Sequence, residues 1–238
     1  MSRRRHPRPA AAVAAAIALA AALAASPAVV AQVPPTLAER AAYQGLFAAA
    51  QQGDANAVAR LIAGGADPNA RDGHGRTPLH VAAFAGRHDA MRALVGAGAD
   101  PNALENDRYD IVTIAAVAND VPTLKVALAI GGKATNITSR YDGTALIAAA
   151  HLGNDGVVRE LIGARAPLDH VNNLGWTALI ESIVLGNGGA RHIATLKALV
   201  DAGANVNLAD RSGMTPLALA KARGYGEMVA LLEKAGAR

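Results

Sequence analysis

Residues 72–83 read Asp-Gly-His-Gly-Arg-Thr-Pro-Leu-His-Val-Ala-Ala, and this stretch decides the fold. The unit that it opens closes at residues 98–103 with Gly-Ala-Asp-Pro-Asn-Ala, and the same six residues stand 33 positions earlier, at 65–70. A fixed period of this length predicts stacked repeats, in which each unit packs only against its neighbours. Such a solenoid presents an extended surface, in contrast to the pocketed core of most enzymes.

The residues inside this unit predict two short helices. Thr77 can cap a helix start, and Pro78 suits the first helical turn. Gly86 is expected to end the first helix, and Gly98 is expected to end the second in a left-handed cap. Each helix has only about two to three turns and is too short to persist alone in water. Stacking of neighbouring units must therefore supply the hydrophobic core.

The Thr-Pro-Leu-His motif at residues 77–80 and the glycine-led tail resemble the ankyrin repeat family, and the resemblance extends from about Leu37 to the C-terminus. It implies an all-α ankyrin repeat solenoid of about six helix-turn-helix units with short β-hairpin loops. The predicted units, which follow a linker at 32–36, are 37–71, 72–104, 105–138, 139–171, 172–209 and 210–238. The resemblance also implies that His80 is structural and hydrogen-bonds the neighbouring turn.

The third unit departs most from the repeat pattern. Residues 110–113, Asp-Ile-Val-Thr, replace the Thr-Pro-Leu-His motif, and Asn119 replaces the glycine in the middle of the unit. Asparagine is the residue next best suited to a left-handed backbone after glycine. We therefore expect the turn between the two helices to survive at Asn119.

The fifth unit is longer than the others. Thr177 and Thr215 are 38 residues apart, whereas Thr144 and Thr177 are 33 apart. The five extra residues lie around 186–190, and we expect them to lengthen the turn between the two helices. Loops tolerate such insertions at small cost, but binding residues also concentrate on loops. A neutral insertion and a contact loop are therefore both open.

The N-terminal segment 1–31 predicts a secretory signal peptide. Four arginines at positions 3–5 and 8 precede an apolar, alanine-rich run, and small residues lead to Ala31. We predict cleavage between Ala31 and Gln32, with Ala28 as a weaker alternative. The apolar run is shorter than the ~18 residues of a membrane span, which disfavours an uncleaved anchor. Twin-arginine export ranks second to ordinary secretion, because no hydrophobic stretch follows the first arginines directly.

Charge and cysteine content exclude several classes of function. The chain has 23 Lys and Arg residues against 19 Asp and Glu residues. Four of the arginines and no acidic residue lie in segment 1–31, so the predicted mature chain carries 19 charges of each sign. A balanced chain lacks the basic field that nucleic-acid binding needs. The absence of cysteine excludes disulfides, thiol catalysis and cysteine metal sites.

No catalytic, metal or cofactor motif occurs in the sequence. A Gly-x-Ser-x-Gly elbow and a phosphate-binding Gly-Lys-Ser/Thr triplet are both missing. The histidines after residue 31 lie in the second, fourth and fifth units, and no two of them have the i, i+4 spacing of a helical zinc site. The Gly73-x-Gly75 pair lacks the third glycine of a dinucleotide fingerprint and is expected at a hairpin tip. We therefore predict no enzyme activity, no metal site and no cofactor.

The ankyrin resemblance implies a binding groove lined by the hairpin tips and by the first helix of each unit. Carrying those positions over residue by residue gives a predicted protein-binding set. It consists of His74, Arg76, Phe84, Tyr109, Arg140, Tyr141, His151, Leu152, Asn173, Trp176, Leu185, Arg211, Met214 and Arg223, with Asn106 at one further hairpin tip.

Four of these residues share one position in different units and are expected to form a row along the hairpins: Arg76, Tyr109, Trp176 and Met214. Tyrosine, tryptophan and arginine dominate binding hot spots. We therefore expect the row to contact a protein ligand, with Trp176, Tyr141 and Arg140 as the central anchors of the groove. The alternative is that Tyr109 and Trp176 only pack over neighbouring hairpins.

Together these features predict an exported, soluble, monomeric interaction module. The expected location is the periplasm of a bacterium, and the expected partner is another exported protein, with no nucleic acid and no membrane after cleavage. The module would act as a scaffold, a chaperone-like partner or an inhibitor. A secreted effector that binds host proteins is the alternative.

Overall fold

The computed structural model describes residues 32–238, and this part of the chain folds into thirteen α-helices. The predicted signal peptide at 1–31 lies outside the described residues. The helices are α1 (Leu37–Ala42), α2 (Gly45–Gln52), α3 (Ala55–Ala63), α4 (Pro78–Phe84), α5 (His88–Gly96), α6 (Ile111–Val117), α7 (Val121–Ala129), α8 (Ala145–His151), α9 (Asp155–Gly163), α10 (Ala178–Val184), α11 (Ala190–Asp201), α12 (Pro216–Arg223) and α13 (Gly226–Lys234).

Helices α2 to α13 form six antiparallel pairs, which stack one after another. Within each pair the first, inner helix packs against the inner helices of the two adjacent units, and the second, outer helix packs against the adjacent outer helices. Neighbouring pairs alone provide these contacts, as expected of a one-dimensional repeat array. The predicted all-α solenoid of six helix-turn-helix units is therefore confirmed.

The inner helices of the second to sixth units each begin at a side-chain cap. The hydroxyl of Thr144 accepts a hydrogen bond from the backbone N–H of Ile147 at 3.3 Å, and the other capping threonines repeat this contact. In the third unit Asp110 takes the same role and accepts from Thr113 N–H at 2.8 Å. Asn119 adopts the predicted left-handed backbone, with φ 56°. The third unit thus keeps the fold despite its divergent sequence.

Small side chains bring the inner helices close together. Paired alanines such as Ala115 and Ala116 in α6 and Ala149 and Ala150 in α8 are almost fully buried between neighbouring units. Larger aliphatic residues, including Leu146, fill the space between the two helical layers. Since the core is continuous from unit to unit, no single unit has a complete core of its own.

The hairpin loops are tight turns, with almost no β-structure. In most of them one backbone bond closes the turn, as when Asn172 N–H donates to Trp176 O at 3.0 Å. The first residue also accepts bonds through its side chain, and Asn172 Oδ1 receives the N–H groups of Leu174 and Trp176 at 3.0 Å. Within residues 32–238 the sole β-pairing is an isolated bridge between Thr138 and Gly143.

The five extra residues of the fifth unit are distributed differently from the prediction. The segment between α10 and α11 is five residues long, two more than the segment between α4 and α5, and α11 has twelve residues where α5 has nine. The prediction that all five lengthen the turn is therefore wrong. Tyr225 Oη donates to Gly186 O at 3.0 Å, so the longer turn is held against the sixth unit and does not project freely.

Among residues 32–238, no helix is both long and apolar enough to cross a membrane.

We predict that a buried leucine and an exposed leucine at the end of the same helix differ sharply in their contribution to stability. Leu146 is fully buried, and Leu152, directly after α8, is 39% exposed. Leu146→Ala should lower the free energy of unfolding by about 2–5 kcal/mol, because it leaves a cavity between two units. Leu152→Ala should change it by less than about 1 kcal/mol. Urea denaturation followed by circular dichroism measures both values, and equal losses would contradict the described packing.

Candidate protein-binding groove

The groove is defined here as the surface formed by the hairpin tips and by the edges of the inner helices that the outer helices leave uncovered. Because the units repeat with small rotations, equivalent side chains recur along this surface at each unit. The structure places the predicted binding residues on it in two distinct groups, buried and accessible.

The predicted row of contact residues is buried. Arg76, Tyr109, Trp176 and Met214 are only 1%, 8%, 3% and 9% exposed. Tyr109, Trp176 and Met214 belong to the hydrophobic core, because the tight hairpins turn this position inward towards the helices. The prediction that these four residues line an accessible row, with Trp176 as a central anchor, is therefore wrong. The alternative, that they pack beneath the hairpins, agrees with the structure.

The remaining predicted residues reach the surface. His74, Asn106, Arg140, His151, Leu152, Asn173 and Arg211 are exposed, and Phe84, Tyr141, Leu185 and Arg223 are half-buried.

The N-terminal segment 32–43, which we call the strap, lies against the first three units. The Gln32 side-chain amide donates to the backbone oxygens of Thr113 and Ile114 in α6, at 3.3 Å and 3.0 Å. Gln32 is itself buried, at 7% exposure. Segment 32–36, predicted to be a linker, is therefore packed against inner helices two units away.

Arg76 fastens the strap to the second unit. Its guanidinium donates to Val33 O at 3.2 Å, to the Glu39 carboxylate at 2.5 Å and to Asp72 Oδ2 at 2.7 Å. Tyr43 Oη also donates to Asp72 Oδ2, at 2.8 Å. These bonds explain why Arg76 is buried, and they occupy the hairpin of the second unit with the chain's own residues.

Hydrogen bonds keep the two carboxylates that contact Arg76, those of Glu39 and Asp72, in their ionised form. The backbone N–H and hydroxyl of Thr36 and the Arg76 guanidinium lower the pKa of Glu39 to about 2. Burial alone would raise the pKa of Asp72, but bonds from Tyr43 and Arg76 outweigh it, so this pKa is lowered. Both carboxylates are therefore ionised at neutral pH, as their contacts with Arg76 require.

The fourth to sixth units carry the part of the groove that the strap does not contact, which we call the open half. Asn173 N–H donates to Tyr141 O, and its side-chain amide donates to Arg140 O, both at 2.9 Å. The fourth and fifth hairpins are thus joined tip to tip, and Arg140 and Tyr141 are held on a fixed backbone. The Arg140 guanidinium lies 3.9 Å from Asp107, a distance typical of a weak surface pair.

Glu181 is a buried acid in the open half that the sequence analysis missed. It lies on α10 at 5% exposure, with Oε1 accepting from the Asn172 amide at 2.7 Å. Its Oε2 lies 3.7 Å from Nδ1 of His151. Burial raises the pKa of Glu181 to about 8, against a smaller lowering by Asn172. A signal was present in the sequence, because the equivalent repeat positions hold Val81, Ile114, Ala148 and Leu219.

Two histidines near Glu181 are arranged by the neighbouring helices. His192 Nε2 lies 2.9 Å from the backbone oxygen of His151, and its Nδ1 lies 3.1 Å from Asn187 Oδ1. Burial, and secondly the charge of His192, lower the pKa of His151. His151 is therefore neutral at physiological pH and does not neutralise an ionised Glu181.

His80 has the structural role that the sequence predicted. Its Nδ1 accepts from Thr77 N–H at 3.1 Å, so Nε2 carries the proton and donates to Tyr109 O, at 3.2 Å, in the next hairpin. Burial lowers the pKa of His80 to about 4, and the ring stays neutral. Within residues 32–238, no group of three His, Asp or Glu side chains is placed to hold a metal ion.

The family profile described as Ankyrin repeats (3 copies) matches residues 20–105 and 112–210, and the profile described as Ankyrin repeats (many copies) matches residues 189–233. The ankyrin repeat protein YahD of Escherichia coli (strain K12) is 35% identical over 190 residues, which cover 79% of this chain and 94% of that protein.

Two solved structures extend the comparison. An ankyrin repeat domain from Acinetobacter baumannii AYE superposes with a TM-score of 0.75 and 42% identity, covering 81% of this chain and 98% of that chain. A chain in the complex of a Bdellovibrio bacteriovorus predatory endopeptidase with an immunity protein superposes with a TM-score of 0.66 and 25% identity, covering 81% and 98%.

We predict that Arg76 contributes far more to stability than a surface arginine in a comparable ion pair. Arg76→Ala removes a fully buried cation and leaves the Asp72 and Glu39 carboxylates without their arginine partner, which should cost about 3–5 kcal/mol. Arg108→Ala breaks the pair with Asp142, whose side chains are 46% and 49% exposed, and should cost under about 1 kcal/mol. Hydrogen exchange should also show faster exchange of strap amides in Arg76→Ala alone. Equal costs with an unchanged strap would refute the anchoring role of Arg76.

We also predict a pH dependence of stability that arises from Glu181. Its pKa of about 8 in the folded state lies above the ordinary value of 4.5. The folded chain therefore keeps a proton that the unfolded chain has lost between these values. The stabilising contribution is complete below pH 4.5 and is lost as the pH rises through 8.

The matched test is Glu181→Gln, which preserves shape and keeps an acceptor for Asn172. Relative to the wild type, this variant should gain stability between pH 5 and pH 8, by an amount on the order of a few kcal/mol. Glu227→Gln, at an exposed site on α13, should track the wild type at every pH. The prediction would be wrong if the difference in unfolding free energy between wild type and Glu181→Gln, measured by thermal or urea unfolding, stayed constant from pH 5 to pH 8. Glu181 would then be ionised in the folded state throughout this range.

Proposed function

Because the chain belongs to the ankyrin repeat family, we propose that it binds another exported protein through the open half of the groove and catalyses no reaction. Ankyrin repeats are protein–protein interaction modules. The observation that carries the proposal is the difference between the two halves. The strap covers part of the first three units and occupies the hairpin of the second, whereas the open half presents exposed side chains that the strap does not contact. Its fourth and fifth hairpins are hydrogen-bonded to each other, as the second and third hairpins also are.

A fixed surface of this kind favours tight recognition. Binding costs less conformational entropy when the contacting side chains are already ordered. Arg140 and Tyr141 are of the residue types that most often dominate binding energy, and Leu152 adds exposed apolar area at the opposite end of α8. These three residues replace the buried Trp176 as the proposed centre of the interface.

The proposed site of action is the periplasm. Its support is the leader-like sequence at residues 1–31, with its basic head, apolar run and small residues before Ala31. The similarity to a chain in a complex between a predatory endopeptidase and an immunity protein supports an inhibitor among the three roles considered, which also include a scaffold and a chaperone-like partner.

The alternative is a secreted effector that binds host proteins through the same surface. The leader-like sequence favours the periplasm over this alternative, because it is typical of ordinary secretion. Cell fractionation separates the two: recovery from the periplasm supports the proposal, and recovery from the culture medium alone supports the effector.

We predict that a double variant of the open half loses the partner. The full chain, expressed with residues 1–31 and purified from exporting cells, is crosslinked in native periplasmic extract. Arg140→Ala with Tyr141→Ala should lose a protein that the wild type captures, because two anchors are removed. Arg159→Ala, on outer helix α9, is the matched control and should capture it normally.

Capture of the same protein by all three forms would refute the placement of the site in the open half. Capture from a host lysate, with none from periplasmic extract, would favour the secreted effector. Circular dichroism of each variant should match the wild type, because Arg140 and Arg159 are exposed and Tyr141 is half-buried.

A further inference from the structure

One inner-helix position in the open half is filled less completely than its equivalents. Four residues after each helix cap, the inner helices carry a side chain that is buried in α4, α6, α10 and α12, at 0–5% exposure. On α8 this position holds Ala148, which is shorter and is partly exposed. Helices α8 and α10 pack directly against each other. Ala148 therefore lies on the helix next to Glu181, the one charged residue in this set of equivalent positions, and we call the place between these two residues the notch.

Burying a carboxyl group at this position costs free energy. Within the described residues, only one of its two oxygens makes a hydrogen bond. Oε1 of Glu181 accepts the Asn172 amide and so supports the fifth hairpin. From residues 32–238, Oε2 receives no hydrogen bond, and the cation-forming group closest to it in this range is Nδ1 of His151 at 3.7 Å. A glutamine could satisfy Asn172 equally well, so the hairpin does not explain why a second, ionisable oxygen is present.

We infer that the notch between α8 and α10 is a subsite for a lysine or arginine side chain of the partner, with Glu181 as its counter-charge. This inference rests on the proposed function. A cation placed at Oε2 would form a charge-assisted hydrogen bond in a site of low polarity, where such bonds are strong. The exposed side chain of Leu152, next to His151, offers apolar surface for the aliphatic stem of the incoming residue.

Within residues 32–238, no lysine or arginine of the protein pairs with this oxygen. Charged or titratable residues on the elements that pack against α10 are His151 on α8, Arg191, His192, Lys197 and Asp201 on α11, and Lys221 and Arg223 on α12. Among the lysines, arginines and histidines that the structure describes, only His151 has a side-chain nitrogen within 4 Å of the Glu181 carboxyl, and this ring is neutral for the reasons given above. At the hairpin tips Arg140 lies near Asp107, and the stem of Arg211 lies over Gly175.

Binding of a cation in the notch has a thermodynamic signature. With its pKa of about 8, free Glu181 is largely protonated at pH 7. A cationic ligand favours the ionised form, so binding at pH 7 should release close to one proton. Affinity should strengthen as the pH rises towards 8 and level off above it. A neutral ligand in the same notch would release none.

The experiment uses random dodecamer peptides displayed on phage and selected against the full chain. Sequences selected by the wild type should share one Lys or Arg at a fixed position. The best peptide is then compared with a version in which norleucine replaces that lysine, by isothermal titration at pH 7 in two buffers of different ionisation enthalpy. Norleucine in the peptide, or Glu181→Gln in the protein, should weaken binding about 30-fold or more and abolish proton release. Glu227→Gln should bind like the wild type.

The outcomes separate this subsite from the proposed function. One outcome would overturn the subsite and leave the proposed groove standing. In it, the selected peptides share no Lys or Arg, bind Glu181→Gln as they bind the wild type, and no longer bind Arg140→Ala with Tyr141→Ala. Peptides that bind both variants as they bind the wild type, or a selection that yields no binders, would count against both the subsite and the proposed groove. Binding that needs Glu181 but releases no proton would mean that the carboxyl stays protonated and donates to an acceptor, which would overturn the cation subsite.

Discussion

Stacking between successive units is the interaction on which the rest of this structure depends. Most of the helices in the pairs have seven to nine residues, a length at which isolated helices are unstable in water. Their stability comes from packing against equivalent helices one unit away, through small side chains such as Ala115 and Ala149. The same packing fixes the hairpins. The surface hairpins and the core therefore depend on the same packing, and a residue of a hairpin is often part of the core.

The two halves of the groove differ because the chain covers one of them. The strap places a polar side chain, an extended backbone and a carboxylate on the first three units, which resembles the way in which a bound peptide would use such a surface. The strap does not contact the fourth to sixth units. A partner could therefore bind these three units without displacing the strap.

The sequence predicted the repeats, the all-α fold, the threonine caps and the role of His80, because each depends on local motifs that recur at a fixed spacing. It did not predict the burial of Trp176 and Tyr109, since the inward turn of that hairpin position depends on how adjacent units meet. The strap was also missed, because Gln32 contacts residues about 80 positions away and no repeat pattern encodes that contact. Glu181 was detectable in the sequence as a charged residue at a repeat position that is aliphatic in other units. Only the structure shows that it is buried and that its ionisation therefore costs free energy.

The buried position of Trp176 has a consequence for the study of unfolding. It is the only tryptophan in the chain, and it is enclosed by the fifth hairpin and the neighbouring core. Intrinsic fluorescence therefore reports the melting of one unit near the C-terminal end, whereas far-ultraviolet circular dichroism averages over all helices. A difference between the two signals would reveal whether the array frays from one end or unfolds as a whole, without any label.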